Sequence, residues 1–126
     1  MTPSYSRSQN PADVKASVLA DAFFNRSFLD PSVKGEFPKE LVEILQEEGY
    51  MPIIEDGDLT IIKNNTVDIF GVNYYQPRRV KAKEHLPNPE SPFMPDRYFD
   101  NYIMPGRKMN LHRGWEIYEK ESIIFS

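Results

Sequence analysis

Val67-Asp68-Ile69-Phe70-Gly71-Val72-Asn73-Tyr74-Tyr75 is nearly continuous in apolar and aromatic residues and does not alternate with polar ones. A strand with one wet face alternates; a strand covered on both faces of a parallel sheet reads as an unbroken apolar run. This stretch therefore predicts a doubly buried parallel strand. Its amide, Asn73, and its phenol, Tyr75, arrive at the C-terminal end, which is where α/β folds bind ligands.

Two helices precede it. Asn10 is placed to cap the first, Pro11 suits its first position, and Asp13 puts an acid in the first turn. Val14, Val18 and Ala22 with Leu19 and Phe23 recur at helical spacing, Asp30-Pro31 marks the exit, and Val33-Lys34-Gly35 reads as loop. Pro38 opens the second helix, with Leu41, Ile44 and Leu45 as its buried stripe and Glu40, Glu43, Glu47 and Glu48 as its wet face; Gly49 suits the end. Asp56-Gly57-Asp58 is a turn, and Leu59-Thr60-Ile61-Ile62 fits either helix or strand. Helix, turn and buried strand make an α/β repeat. Beyond the strand, Gln76–Asn110 holds no period and carries six prolines, Pro77, Pro87, Pro89, Pro92, Pro95 and Pro105, so it reads as one long, functional loop. Gly114-Trp115-Glu116-Ile117-Tyr118 reads as the opening of a further helix. A parallel strand needs neighbours on both sides, and this chain barely supplies them. Either it pairs with itself in an unusual way or it is a piece of something larger.

At 126 residues the chain allows one domain at most and is too short for a closed (β/α)8 barrel, which takes about 250 residues. The 40% apolar and 27% charged shares are those of a globular protein. A net charge of −4 argues against a general nucleic-acid binder. With no cysteine there is no disulfide, thiolate zinc site or cysteine nucleophile. No apolar run approaches the length of a membrane span, and Met1-Thr2-Pro3-Ser4-Tyr5 does not open a secretory leader. A cytoplasmic enzyme, or a piece of one, is expected.

Asn73-Tyr74-Tyr75 at a strand end has the donors and acceptors to hold a carboxylate and a sugar hydroxyl; simple packing of an aromatic strand end is the plainer account. Trp115, the single tryptophan, stacks on a sugar or anchors a core. Arg78, Arg79, Lys81 and Lys83, like Arg107, Lys108 and Arg113, read as solvated loop faces, because no glycine-rich phosphate cradle accompanies them. His85 and His112 lack partners at metal-ligand spacing, and Glu55, Asp56 and Asp58 make only half a calcium loop.

Taken together, several stretches resemble glycoside hydrolase family 1, and within it the bacterial 6-phospho-β-glucosidases. They are Thr2-Pro3-Ser4-Tyr5 with Arg7-Ser8, Asn10-Pro11-Ala12-Asp13, Phe24-Asn25-Arg26 with Phe28-Leu29-Asp30-Pro31, Gly35-Glu36-Phe37-Pro38, Asp68–Tyr75, Met104–Asn110 and Gly114–Tyr118. The resemblance implies a retaining β-glycosidase built on a (β/α)8 TIM barrel. It implies that this α/β chain is a partial barrel, running from after the fifth strand through the sixth strand to the start of the sixth helix. Retaining hydrolysis needs two carboxyl groups about 5–5.5 Å apart. The Asn-Glu-Pro and Glu-Asn-Gly motifs that carry them in the family are both absent here, so no catalytic residue is assigned. The resemblance makes Asn73 and Tyr75 supports of the nucleophile, and Trp115 a lining of the aglycone side of the cleft.

The expectations are therefore a glycosidase fragment over residues 1–120, inactive alone, and an out-of-frame tail over 121–126, where Glu121-Ser122-Ile123-Ile124-Phe125-Ser126 departs from the family pattern as a single-nucleotide frameshift would make it. No metal or organic cofactor is implied. The partner is a phosphorylated β-glucoside in the parent enzyme, with no nucleic acid and no membrane, and the isolated chain is expected to be poorly stable or to self-associate. The rival is a stand-alone carbohydrate-binding or interaction module made from a barrel segment.

Overall fold

The structure, a computed structural model, describes residues 1–87 and 94–118. The proposed tail at 121–126, together with Pro89 and Pro92 of the expected loop, lies outside the described residues. The chain divides into two compact units, Met1–Ala20 with Asn73–Ser126, and Asp21–Val72, where length had suggested a single domain.

In the first unit, β1 (Ser4–Ser6) runs parallel to β2 (Arg78–Lys81), with Tyr5 opposite Arg79, and β2 runs antiparallel to β3 (Asp100–Asn101), with Val80 opposite Asn101. The ladder is extended by Arg78 N–H donating to the Pro3 carbonyl at 2.7 Å and Arg7 N–H donating to the Val80 carbonyl at 2.8 Å. A second pair, β4 (Met109–Asn110) with β5 (Trp115–Glu116), is an antiparallel hairpin. Its turn is closed by the Asn110 side-chain oxygen, which accepts from His112 N–H and Arg113 N–H at 3.1 Å each, and by Gly114 at φ 74°. Gln76–Asn110 is thus not one loop, and Gly114–Tyr118 opens a strand rather than a helix. Proline cannot donate to a ladder, but none stands inside β2, β3 or β4, so the prolines space the strands apart instead of excluding them.

Helix α1 (Pro11–Asp21) starts as its sequence predicts, with the Asn10 side chain accepting from Ala12 N–H at 3.0 Å. Its buried face is Asp13, Ala16, Leu19 and Ala20, while Val14 and Val18 remain about two-fifths exposed. The buried stripe is therefore turned away from the valines by a buried acid. Asp13 accepts from the Ser8 hydroxyl at 2.6 Å, from Ala82 N–H at 2.7 Å and from the Arg7 guanidinium at 3.0 and 3.1 Å. Those bonds, the Ala82 N–H foremost and then Ser8 and Arg7, hold its carboxyl down to about 2 from the usual 3.8. Asp100 is a second such hub. Desolvation opposes its charge, yet Lys83, the Glu84 and His85 N–H groups and the His85 ring outweigh it and hold the carboxyl well below its ordinary range.

Both acids are depressed in the folded state, so the stability they confer is present above about 3.8 and is lost as pH falls, toward about 2 for Asp13 and lower still for Asp100. Trp115 fluorescence, followed during acid titration, should show this unit losing structure across that interval. Asp13→Asn should be less stable at neutral pH and show a flatter acid limb; an unchanged limb would remove Asp13 from the account.

In the second unit the helical course continues past Asp30-Pro31, the expected exit. π-helical turns at Ala22–Arg26 and Asp30–Lys34 flank a short α-segment, α2 (Ser27–Leu29). Pro31 sits in the first positions of the second π turn, where a missing N–H is tolerated, and the helix ends at Gly35 in the left-handed region. Buried Asp30 is paired with Arg26 at 2.9 Å, and Arg26 also reaches Glu40 at 3.3 Å, so Glu40 does not belong to a purely wet face. Helix α3 (Lys39–Glu48) buries Leu41 and Ile44 and ends at Gly49, φ 75°. Leu59–Ile62 resolves as helix, within α4 (Asp58–Asn64).

Gly35 lies against the α4 backbone, where an added Cβ would stand 2.7 Å from the Lys63 Cα; nothing stands within 4 Å of the Cβ position at Gly49. Gly35→Ala adds a backbone clash to left-handed strain and should cost about 2 kcal/mol or more, whereas Gly49→Ala should cost about 1 kcal/mol. Chemical denaturation followed by circular dichroism separates the two; equal losses would contradict this reading.

The predicted strand Val67–Tyr75 is not one. Val67 N–H donates to the Ser32 carbonyl at 2.9 Å, but among the described residues Asp68–Val72 pairs with no strand. Val67, Ile69, Phe70 and Val72 are 47%, 89%, 43% and 38% exposed. The reason is physical: a parallel strand draws its hydrogen bonds and its cover from neighbours, and here parallel pairing falls to β1 and β2 instead.

Candidate functional site

Trp115 and Glu116 are consecutive on β5, so their side chains leave opposite faces of the strand. Glu116 is buried and takes three bonds from Arg79, 2.7 Å from Nη2 and two of 2.9 Å from Nε. The Arg79 guanidinium lies 4.9 Å from the ring centre of Tyr118 and 5.5 Å from that of Tyr5, and these two rings meet edge to face at 5.2 Å. The Tyr74 hydroxyl donates to the Tyr118 carbonyl at 2.8 Å. The Glu116 contact raises the Arg79 pKa; desolvation first, and the Glu116 charge second, raises that of Tyr74. The cluster acts as a fixed base for β5.

On the other face of β5, Trp115 meets Tyr75 at 5.8 Å with the rings tilted by 46°, and the Arg113 guanidinium stands 6.0 Å over Trp115. Tyr75 is 66% exposed, and its hydroxyl has no partner among the described residues. An open aromatic pair with a cation at its rim has the shape and polarity to stack a sugar or aryl ring. Of the three residues singled out from sequence, Tyr75 and Trp115 come together. Asn73 makes no hydrogen bond to either of them among the described residues; its backbone carbonyl accepts from the Met1 amino group at 2.6 Å.

Sequence reasoning missed the basis of this site. Arg79, Lys81 and Lys83 are not a solvated face; they are mostly buried and paired with Glu116, Glu84 and Asp100 respectively. The signal was available in principle, because Arg79 needs a buried acid and Glu116 next to Trp115 is one, but pairing them across 37 positions requires the fold. His85 bonds Asp100 at 3.0 Å, and among the described residues no three His, Asp or Glu side chains gather as metal ligands. No helix among the described residues is long and apolar enough to cross a membrane.

With these elements in place, the sequence pattern of glycosyl hydrolase family 1 matches residues 1–119. The chain belongs to that family. It is 78% identical over 120 residues to the 6-phospho-beta-glucosidase GmuD of Bacillus subtilis, a match that covers 95% of this chain and 26% of that enzyme. It is 38% identical over 114 residues to a beta-glucosidase of Agrobacterium, covering 88% of this chain and 22% of that one. Among solved structures, virulence factor SghA of Agrobacterium tumefaciens superposes with a TM-score of 0.72 at 32% identity, over 93% of this chain and 24% of SghA. The chain thus spans about a quarter of the length of the relatives it matches, and it is an α/β segment whose solved neighbours are TIM-barrel β-glucosidases.

Proposed function

We propose that this chain is a segment of a cytoplasmic retaining β-glycosidase that hydrolyses 6-phospho-β-glucosides in carbohydrate metabolism. The observation that carries the reading is the 78% identity over 120 residues to a 6-phospho-beta-glucosidase, against 38% to a beta-glucosidase. In this reading the segment runs from after the fifth barrel strand through the sixth, Val67–Tyr75 takes up the sixth strand's form only beside barrel strands that the described residues do not supply, and residues 121–126 are out of frame. Tyr75 turns its unpartnered hydroxyl toward the nucleophilic carboxylate, Asn73 completes that support, and Trp115 lines the aglycone side. Substrate is a small phosphorylated β-glucoside, and the chemistry needs no metal or organic cofactor.

The experiment is a covalent chimera in which residues 1–119 replace the matched segment of the B. subtilis enzyme. Release of the aryl group from a chromogenic 6-phospho-β-glucoside at a rate within about tenfold of the parent supports the reading; a folded but inactive chimera defeats it. The exposed Tyr75–Trp115 pair also suits the binding-module reading, for which quenching of Trp115 fluorescence by an aryl β-glucoside in the isolated chain would speak.

A further inference from the structure

We propose that Arg113 is a specificity residue, selecting aryl aglycones that carry a carboxylate. The proposal deepens the reading just given and rests on it for calling the ligand an aglycone. Arg113 stands in the turn of the β4–β5 hairpin, where the backbone is pinned. The Asn110 side chain accepts from Arg113 N–H at 3.1 Å, and the Asn110 carbonyl accepts from Gly114 N–H at 2.8 Å. From this fixed base the exposed guanidinium stands 6.0 Å from the Trp115 ring centre. A guanidinium over a ring keeps its N–H donors in its own plane, available to an acceptor at the ring's edge. Among the described residues no acid is paired with it. Its neighbours in sequence and sheet are already engaged: Arg79 with Glu116, Lys81 with Glu84, Lys83 with Asp100, and Arg107 Nε with the Met109 sulfur at 3.0 Å. Glu116, the acid beside Trp115 along β5, leaves the opposite face of the strand and is held by Arg79. The Tyr75–Trp115 platform therefore has a positive rim that no neighbouring acid neutralises. A flat ring suits the platform, and one guanidinium matches one carboxylate in charge and in the spacing of its two oxygens. A phosphate would call for further donors. The chain as a whole carries −4, so an anionic ligand finds at this rim an attraction that the overall charge opposes.

The test measures binding to the full 126-residue chain by quenching of Trp115, its single tryptophan. The ligands are para-carboxyphenyl β-glucoside and its neutral isostere para-carbamoylphenyl β-glucoside, compared by the midpoints of their titrations. The carboxylate should bind about fivefold more tightly at low salt, the effect of an exposed ion pair, and the preference should shrink at high salt. Arg113→Gln should bring the ratio of the two dissociation constants to unity, and Arg113→Glu should invert it. Arg113→Lys, which keeps the charge and loses the planar fork, should restore part of the preference. Equal affinity in the wild type, a preference that survives Arg113→Gln, or quenching by neither ligand would each overturn the proposal. The same two aglycones, as 6-phospho-β-glucosides, are then offered to the covalent chimera, where Arg113→Gln should lower the carboxylate-to-neutral ratio of kcat/KM by about fivefold. An active chimera whose ratio does not move removes the role of Arg113 alone. An inactive chimera removes the glycosidase reading, and the titrations still decide whether Arg113 selects for charge.

Discussion

Purified chain should release no aryl group from a chromogenic 6-phospho-β-glucoside above a denatured control. Retaining hydrolysis divides its work between a carboxylic acid that protonates the leaving oxygen and a carboxylate that attacks, about 5–5.5 Å apart. The Asn-Glu-Pro and Glu-Asn-Gly motifs that carry these groups in the family do not occur in the sequence. The described residues offer no substitute. Asp13, Asp30 and Glu116, the buried acids, are each engaged by an arginine. Asp13, Glu40, Glu84 and Asp100 are all displaced toward the ionised form, whereas a general acid has to be displaced the other way. The expected loss relative to an intact enzyme is the whole enzymatic acceleration, on the order of a millionfold or more. Sustained turnover that is saturable and vanishes on denaturation would mean that a catalytic pair exists which this account has missed.

Arg79→Ala and Glu116→Ala should each destabilise the first unit by about 3 kcal/mol. Both side chains are about nine-tenths buried and bound to one another at 2.7 Å, so removing one leaves a stranded charge, which typically costs about 3–5 kcal/mol. The loss should be visible as a red shift of Trp115 emission, because Glu116 and Trp115 share β5 and the pair holds that strand against β2. The double variant Arg79→Met with Glu116→Leu removes both charges and should recover most of the stability. Urea titrations of the three variants decide the matter. Single variants within about 0.5 kcal/mol of the wild type, a range typical of surface changes, would show that the pair is not what holds the strand.

Local chemistry was legible in the sequence where neighbours along the chain suffice to satisfy it. Asn10-Pro11 opens α1 because the cap needs only a side-chain oxygen two residues from a free N–H. Gly49 ends α3 because the left-handed turn costs a glycine little. The apolar pattern of Leu41 and Ile44 marks a buried helix face by its spacing alone, and collinear motifs placed the chain in its family. What tertiary structure decided is every feature that depends on distant partners. Val67–Val72 has the composition of a buried strand, but hydrogen bonds from other strands make a strand, and among the described residues none reach it. Arg79 looks like a loop cation until β4 and β5 bring Glu116 beside it. Asp13 looks like a helix-start acid until Ala82, Ser8 and Arg7 close around it, and Tyr75 meets Trp115 only because the hairpin turns one face of β5 outward and locks the other on a salt bridge.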